Sequence, residues 1–153
     1  MRKKKTESKD TVNKKVRNAT PCEADGIQFR SKFERSVYQH LVKAGYKPEY
    51  ESETFELLPH FRTTAPWYMD GKPVVKKDGT PSMIQAWHYT PDFKIKLKKN
   101  VVYIEVKGSE NDITPYKRKM FLHLLEEKRP EALYAQINTI RGLYTLLGVM
   151  DKL

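Results

Sequence analysis

The apolar positions of this chain fall into runs with distinct periods. From Ser31, the residues Phe33, Val37, Leu41 and, less regularly, Val42 recur at a helical period that Gly45 ends. Ser31 is the natural cap, with Glu34 three residues later in capping-box spacing. Residues 50–58 alternate loosely through Tyr50, Thr54, Phe55 and Leu57, which predicts a strand. Residues 88–97 and 101–107 read as a hairpin across Lys98-Lys99-Asn100. Phe93, Ile95 and Leu97 share one face, and Asp92, Lys94 and Lys96 share the other. Thr114-Pro115 opens a second helix with Thr at the cap, a stripe of Met120, Phe121, Leu124 and Leu125, and a stop at Pro130. A strand over 132–140 and a short helix over 140–150 complete an order of helix, three strands, helix, strand, helix. That order predicts an α/β (α+β) fold with a mixed central sheet of about four strands flanked by helices.

Two stretches break this pattern. Residues 59–87 are punctuated by Pro and Gly, with Asp70-Gly71 and Asp78-Gly79 as turns, and read as an inserted ribbon carrying Trp67, Tyr68 and Trp87. These aromatics either pack the ribbon onto the sheet or stack on unpaired bases. Residues 1–20 hold eight basic and two acidic residues, +6 of the chain's +10, and almost nothing large and apolar. Such a stretch cannot bury enough to order itself and reads as a flexible basic arm. The folded part is expected over 26–153.

Composition then excludes whole classes. The 153 residues are 39% hydrophobic and 31% charged, enough for one core, and no apolar run approaches the ~20 residues of a membrane span. Basic Met1-Arg2-Lys3-Lys4-Lys5 leads into polar sequence, so no signal peptide is expected. The single Cys22 forms neither an internal disulfide nor a cysteine zinc site, which fits a reducing compartment such as the cytoplasm. No Gly-rich phosphate loop or Ser/His nucleophile motif is present, so nucleotide-driven motors and acyl hydrolases lose support. The net charge of +10 and pI near 9.6 suit a polyanionic partner, because neutralising phosphates releases condensed counterions.

Candidate chemistry gathers at the hairpin. Glu105 and Lys107 interrupt an otherwise apolar strand, where charges are costly unless paired or bound to something. A two-residue turn makes the numbers of paired residues sum to an odd value, which brings Asp92 onto the face of Glu105 and Lys107; a three-residue turn does not. Two carboxylates and an ammonium on one face suit metal-dependent phosphodiester hydrolysis, since a divalent cation relieves the carboxylates' repulsion. A strand-end salt bridge accounts for the same residues. Glu34 likewise is either a carboxylate at the core's rim or half of a capping box.

Phe29-Arg30-Ser31 with Glu34, then Tyr89-Thr90-Pro91-Asp92-Phe93, then Ile104-Glu105-Val106-Lys107-Gly108 together resemble the phage endonuclease I family of Holliday-junction resolvases. More broadly they resemble the PD-(D/E)xK nuclease superfamily, which includes small phage nuclease-like proteins. The resemblance covers about residues 27–138. It implies a restriction-endonuclease-like core and an Mg²⁺-dependent DNA endonuclease, with Mn²⁺ substituting. Asp92, Glu105 and the Val106 carbonyl would ligate metal, Glu34 would complete the site, and Lys107 would be the catalytic lysine. The insertion at 59–87 and the absence of a basic C-terminal tail depart from the resolvase pattern, so branched DNA and a homodimer do not transfer with the hydrolytic site. Two alternatives stay open: a non-catalytic nucleic-acid-binding or assembly protein, and a nuclease subunit of a recombination or transposition complex. In a phage-encoded protein the compartment would be the host cytoplasm.

DNA contacts are expected from Lys3, Lys4, Lys5, Lys14, Lys15 and Arg17 of the arm, from Arg30, and from Lys117, Arg118 and Lys119 at the second helix's start. His88, four residues before Asp92, shares its face in a continuous strand, where it is either a partly exposed, hydrogen-bonded histidine or a contact to phosphate or water. Deleting residues 1–20 is expected to weaken DNA binding and flatten its salt dependence. An unchanged slope in a salt titration would make the arm a bystander.

Overall fold

The computed structural model describes residues 22–76 and 78–153; the basic arm lies outside them. A short hairpin comes first, β1 (Cys22–Ala24) against β2 (Ile27–Phe29), turned by Asp25 and Gly26 at φ 52° and 76°. A strand thus begins at Cys22, four residues before the expected start of the folded part. Helix α1 (Lys32–Lys43) is capped by Ser31, whose side chain accepts from the Glu34 N–H, and it ends before Gly45 at φ 89°.

Residues 50–58 do not form one strand. β3 (Glu49–Tyr50) and β4 (Phe55–Leu58) lie in different sheets, separated at Glu51, whose φ is 44°. Residues 88–97 divide in the same way. After β5 (Phe61–Arg62), β6 (Tyr68–Met69), β7 (Lys72–Pro73) and β8 (Met83–Ile84), strand β9 (Trp87–Tyr89) pairs with β4, while β10 (Phe93–Lys96) joins the central sheet. Thr90-Pro91-Asp92 makes the crossing, and Pro91 has no N–H to offer a ladder.

The central sheet is four-stranded and mixed, in the order β12-β11-β10-β3, with β11 (Val101–Val106) and β12 (Ala132–Ile137) parallel. Between these two runs α2 (Thr114–Lys128), the crossover a parallel pair requires. The closing helix α3 (Ile140–Met150) is capped by Thr139. At the start of α2, Thr114 is already helical and does not cap. Asn111 does that work: its Oδ1 accepts from the N–H groups of Ile113 and Thr114 and from the Thr114 hydroxyl.

Each face of the sheet has its own core. Phe93, Ile95, Val102, Ile104 and Val106 pack with Phe29, with Val37 and Leu41 of α1, and with Leu143 and Leu147 of α3. On the opposite face Tyr103 meets Phe121 and Leu125 of α2, together with Phe55 and Tyr89. A charged network pins this second layer. Glu53 accepts from Lys94 at 2.6 Å, Arg129 at 2.7 Å and the Tyr103 hydroxyl at 2.9 Å. Although burial raises the Glu53 pKa, these donors outweigh it and hold the carboxyl below its usual value. No described helix is long and apolar enough to cross a membrane.

Candidate active site

The hairpin register brings the site together. Phe93 pairs with Ile104 and Lys96 with Val101, and the Leu97 N–H donates to the Asn100 carbonyl at 2.8 Å. Lys98-Lys99 is therefore a two-residue turn, paired numbers sum to 197, and Asp92 stands opposite Glu105. Side chains at 92, 105 and 107 leave the sheet on the face covered by α2. They open into a cleft of ≈ 310 Å³ that Asp92, Glu105 and Lys107 all line.

Both carboxylates are nearly inaccessible, Asp92 at 7% and Glu105 at 6% exposure. One Asp92 oxygen, Oδ2, accepts from the Val106 N–H at 2.6 Å. Glu105 Oε1 meets Lys107 Nζ at 2.6 Å, and its Oε2 accepts from the Tyr89 hydroxyl at 2.8 Å. The Asp92 pKa is pushed well above its usual value by burial and then by the charge of Glu105. The Val106 N–H opposes that rise, the charge of Glu34 adds to it, and Lys107 offsets part of it. For Lys107 the balance differs: burial alone would lower its pKa, but Glu105, with help from Asp92 and Glu34, raises it. Lys107 is therefore an ammonium at neutral pH.

Glu34 is engaged elsewhere. Its Oε1 accepts from the Ser31 hydroxyl at 2.9 Å, and its Oε2 accepts from the Tyr50 hydroxyl at 2.6 Å and the Arg30 N–H at 3.1 Å. These are the bonds of a capping box extended by a tyrosine. The charge of Glu34 reaches Asp92 and Lys107, but its oxygens are not gathered with theirs: among the described residues no three His, Cys, Asp or Glu side chains form a group that could hold a metal ion. The donors that remain are the adjacent carboxylates of Asp92 and Glu105, beside the backbone of Val106. Two carboxylates suffice for Mg²⁺, which keeps several waters and completes its shell with substrate phosphate.

The cleft walls are largely basic. Arg30 lines one side and pairs with Glu51 at 2.6 Å. Lys117 and Arg118, in the first turns of α2, line the other, together with Thr114. Lys119 is exposed and does not line the cleft. Arg118 is tied to Glu110 at 2.6 Å and to Gln136 at 2.7 Å. His88 borders the cleft from β9, across the crossing at Thr90-Pro91, and not through a strand shared with Asp92. Lys3, Lys4, Lys5, Lys14, Lys15 and Arg17 lie outside the described residues.

Comparison with known proteins adds a family. A model described as "Protein of unknown function (DUF1064)" matches residues 14–139, well over half of the chain. The chain belongs to the DUF1064 family. No curated protein and no solved structure matches it. The match spans every cleft residue named above, so the cleft lies within the DUF1064 region.

Two residues at the DUF1064 cleft were not legible in the sequence. Tyr89 reaches Glu105 only because β9 pairs with β4; Glu51 does not line the cleft but stands behind it, paired to the lining Arg30 and held by its N–H, which donates to the Asp92 carbonyl at 2.9 Å. Glu51 at φ 44° was a weak local signal at best, since the left-handed region is sparsely used by non-glycine residues. Its carboxyl is pushed up mainly by burial, against the pull of Arg30 and with the repulsion of Glu34.

Proposed function

We propose that this protein is a divalent-metal-dependent DNA endonuclease of the host or cellular cytoplasm, acting by hydrolysis of phosphodiester bonds. The observation that carries this reading is the pairing of two buried carboxylates, Asp92 opposite Glu105, in an open cleft with basic walls. Two adjacent buried carboxylates destabilise a fold unless something positive joins them. Lys107 satisfies one oxygen of Glu105, and the charge of Asp92 stays poorly compensated. The resemblance of the three motifs to the PD-(D/E)xK nucleases supports the same reading.

Asp92 and Glu105, with the Val106 carbonyl, would hold Mg²⁺ or Mn²⁺, and the ion when bound supplies a water of lowered pKa and neutralises phosphate charge. Tyr89 fixes the Glu105 carboxylate through Oε2, leaving the Oε1 side to Lys107 and the cleft. Lys107, a protonated ammonium, donates to the attacking water or the phosphate and stabilises negative charge as it develops. Arg30, Lys117 and the α2 N-terminus place positive charge along the path of the DNA backbone. Glu34 adds negative charge at the rim and, on the resemblance, would complete the metal site.

The 2.6 Å Glu105–Lys107 pair and the capping bonds of Glu34 also suit a non-catalytic binder whose charges simply pair. A magnesium titration over supercoiled plasmid, duplex, flap, single-stranded and four-way DNA separates the readings. The nuclease nicks at least one substrate only when metal is added. Mobility shifts without products at any metal concentration would leave a binding protein.

A further inference from the structure

The inserted ribbon is the largest feature that the site does not use. Its pairings are nested: β4 with β9, then β5 with β8 through Phe61↔Ile84 and Arg62↔Met83. Beyond that stem the chain makes two hairpins. One is β6 with β7, turned at Asp70 and Gly71 with φ of 53° and 72°; the other closes at Val75↔Pro81. No described residue from 56 to 88 is buried, and in that range only the half-buried Leu57, at the base of the stem, packs against a core.

Above that base its surface carries large apolar groups in solvent. Tyr68 and Met69 are 62% and 63% exposed, Phe61 and Val75 are exposed with them, and Arg62, Lys72 and Lys76 stand between them in solvent. Large apolar groups kept in water together mark a contact surface. Cations spaced among large apolar side chains match a partner that offers phosphates and base edges together. The ribbon also adjoins the cleft. Its last strand, β9, runs through Thr90-Pro91 into Asp92, and Lys117 of α2 lies over the Trp87 ring at 5.9 Å.

We propose that the ribbon reads duplex DNA beside the scissile phosphate, lying in the major groove. A two-stranded ribbon fits the ~12 Å major groove of B-DNA. The major groove of A-form RNA is too narrow to admit it. Tyr68 meets base edges, including thymine methyls, and Met69, on the other face of the ribbon with its cross-strand partner Lys72, lies along the groove wall, where Arg62, Lys72 and Lys76 hold phosphates. The inference rests on the nuclease reading for the position of the DNA, and it assigns preference among DNA sequences to the ribbon and hydrolysis to the cleft.

The test uses the full chain in EDTA, so that binding is read without cleavage, on a DNA duplex and an RNA duplex of the same sequence. The Arg62→Ala/Lys72→Ala/Lys76→Ala variant is expected to lose about ten-fold in DNA affinity near 0.15 M salt, and its salt slope to fall by about 2–3. The Tyr68→Ser/Met69→Ser variant is expected to lose a similar factor with its slope unchanged. Wild type is expected to bind RNA at least about ten-fold more weakly than DNA. All five positions are exposed, so matched thermal melts accompany these changes. DNA affinities equal to wild type in both variants, or equal affinity for RNA, overturn the proposal. If the ribbon variants lose DNA binding but wild type never cleaves, the nuclease reading falls and the ribbon stands. Cleavage by wild type with unaffected binding in the variants has the opposite meaning.

Discussion

Replacing Asp92 by Asn is expected to lower cleavage by about a thousand-fold or more and, in the same protein, to raise the melting temperature. The first effect follows from removing one of the two carboxylates available to a cation, a loss of about 4 kcal/mol of transition-state stabilisation. The second follows from the electrostatics of the apo site. Asp92 is 7% exposed, faces Glu105, and has its pKa pushed well up by burial and by that neighbour. A folded-state pKa above the unfolded value means the folded protein binds more protons between the two. Stability is then greatest below the unfolded value near 3.8 and is lost as pH rises through the folded pKa. Asparagine carries no such charge, keeps an oxygen for the Val106 N–H, and turns an NH₂ toward the carboxylate side. A gain of about 1–2 kcal/mol corresponds to roughly 2–8 °C in a chain of this length. The gap from wild type should widen with pH across that window and then level off. Magnesium should raise the wild-type melting temperature and leave Asp92→Asn unmoved. Glu105→Gln should also abolish cleavage but without the stability gain, because it strips Lys107 of its 2.6 Å partner. Cleavage that survives either substitution sinks the assignment.

The charge pairing at the heart of this prediction was legible in the sequence because it depends on parity. Once Lys98-Lys99 forms a two-residue turn, alternation along both strands carries Asp92 to the face of Glu105, each six residues from the turn. Helix α3 was equally legible, since its period and bounds are local. The strands around Glu51 and Thr90-Pro91 were not. There the alternation continues through points where the chain changes sheets, and only pairing with β4 or β10 distinguishes one long strand from two. The early hairpin carried an Asp25-Gly26 turn signal, but Cys22 and Ala24 gave too short an apolar run to mark a strand beside it. Glu34 shows the limit from the other side. Its spacing from Ser31 fits a cap and a rim carboxylate alike, and the capping bonds are those present. Tyr89 reaches the cleft, and Glu51 its lining residue Arg30, through tertiary pairing, for which no local period exists.

Phe121→Ala is expected to have the largest effect on stability, and to reach the cleft although Phe121 does not line it. Phe121 is fully buried, and its ring centroid lies 4.9 Å from Phe55, 4.8 Å from Tyr89, and 5.6 Å from both Tyr103 and Tyr134. Along α2 only Thr114 and Leu125 are buried besides it, so this ring is the main key that seats the helix on the sheet. Truncation to alanine removes a partner of four aromatic rings at once, edge-to-face with Tyr103 and Tyr134 and tilted against Phe55 and Tyr89, and leaves a cavity between rigid neighbours. That costs about 3–5 kcal/mol, or roughly 6–20 °C. The same loss frees Tyr89, whose hydroxyl fixes Glu105 and lies 3.5 Å from that of Tyr134. It also loosens the helix that presents Lys117 and Arg118 to the cleft. Cleavage by Phe121→Ala should therefore fall even at temperatures well below its own melting point, where the protein is still folded. Leu122→Ala, one position along the same helix but exposed, should stay within about 0.5 kcal/mol of wild type and cleave normally. A Phe121→Ala melt within 2 °C of the Leu122→Ala melt, by near-ultraviolet circular dichroism, would contradict the packing that ties α2 to the site.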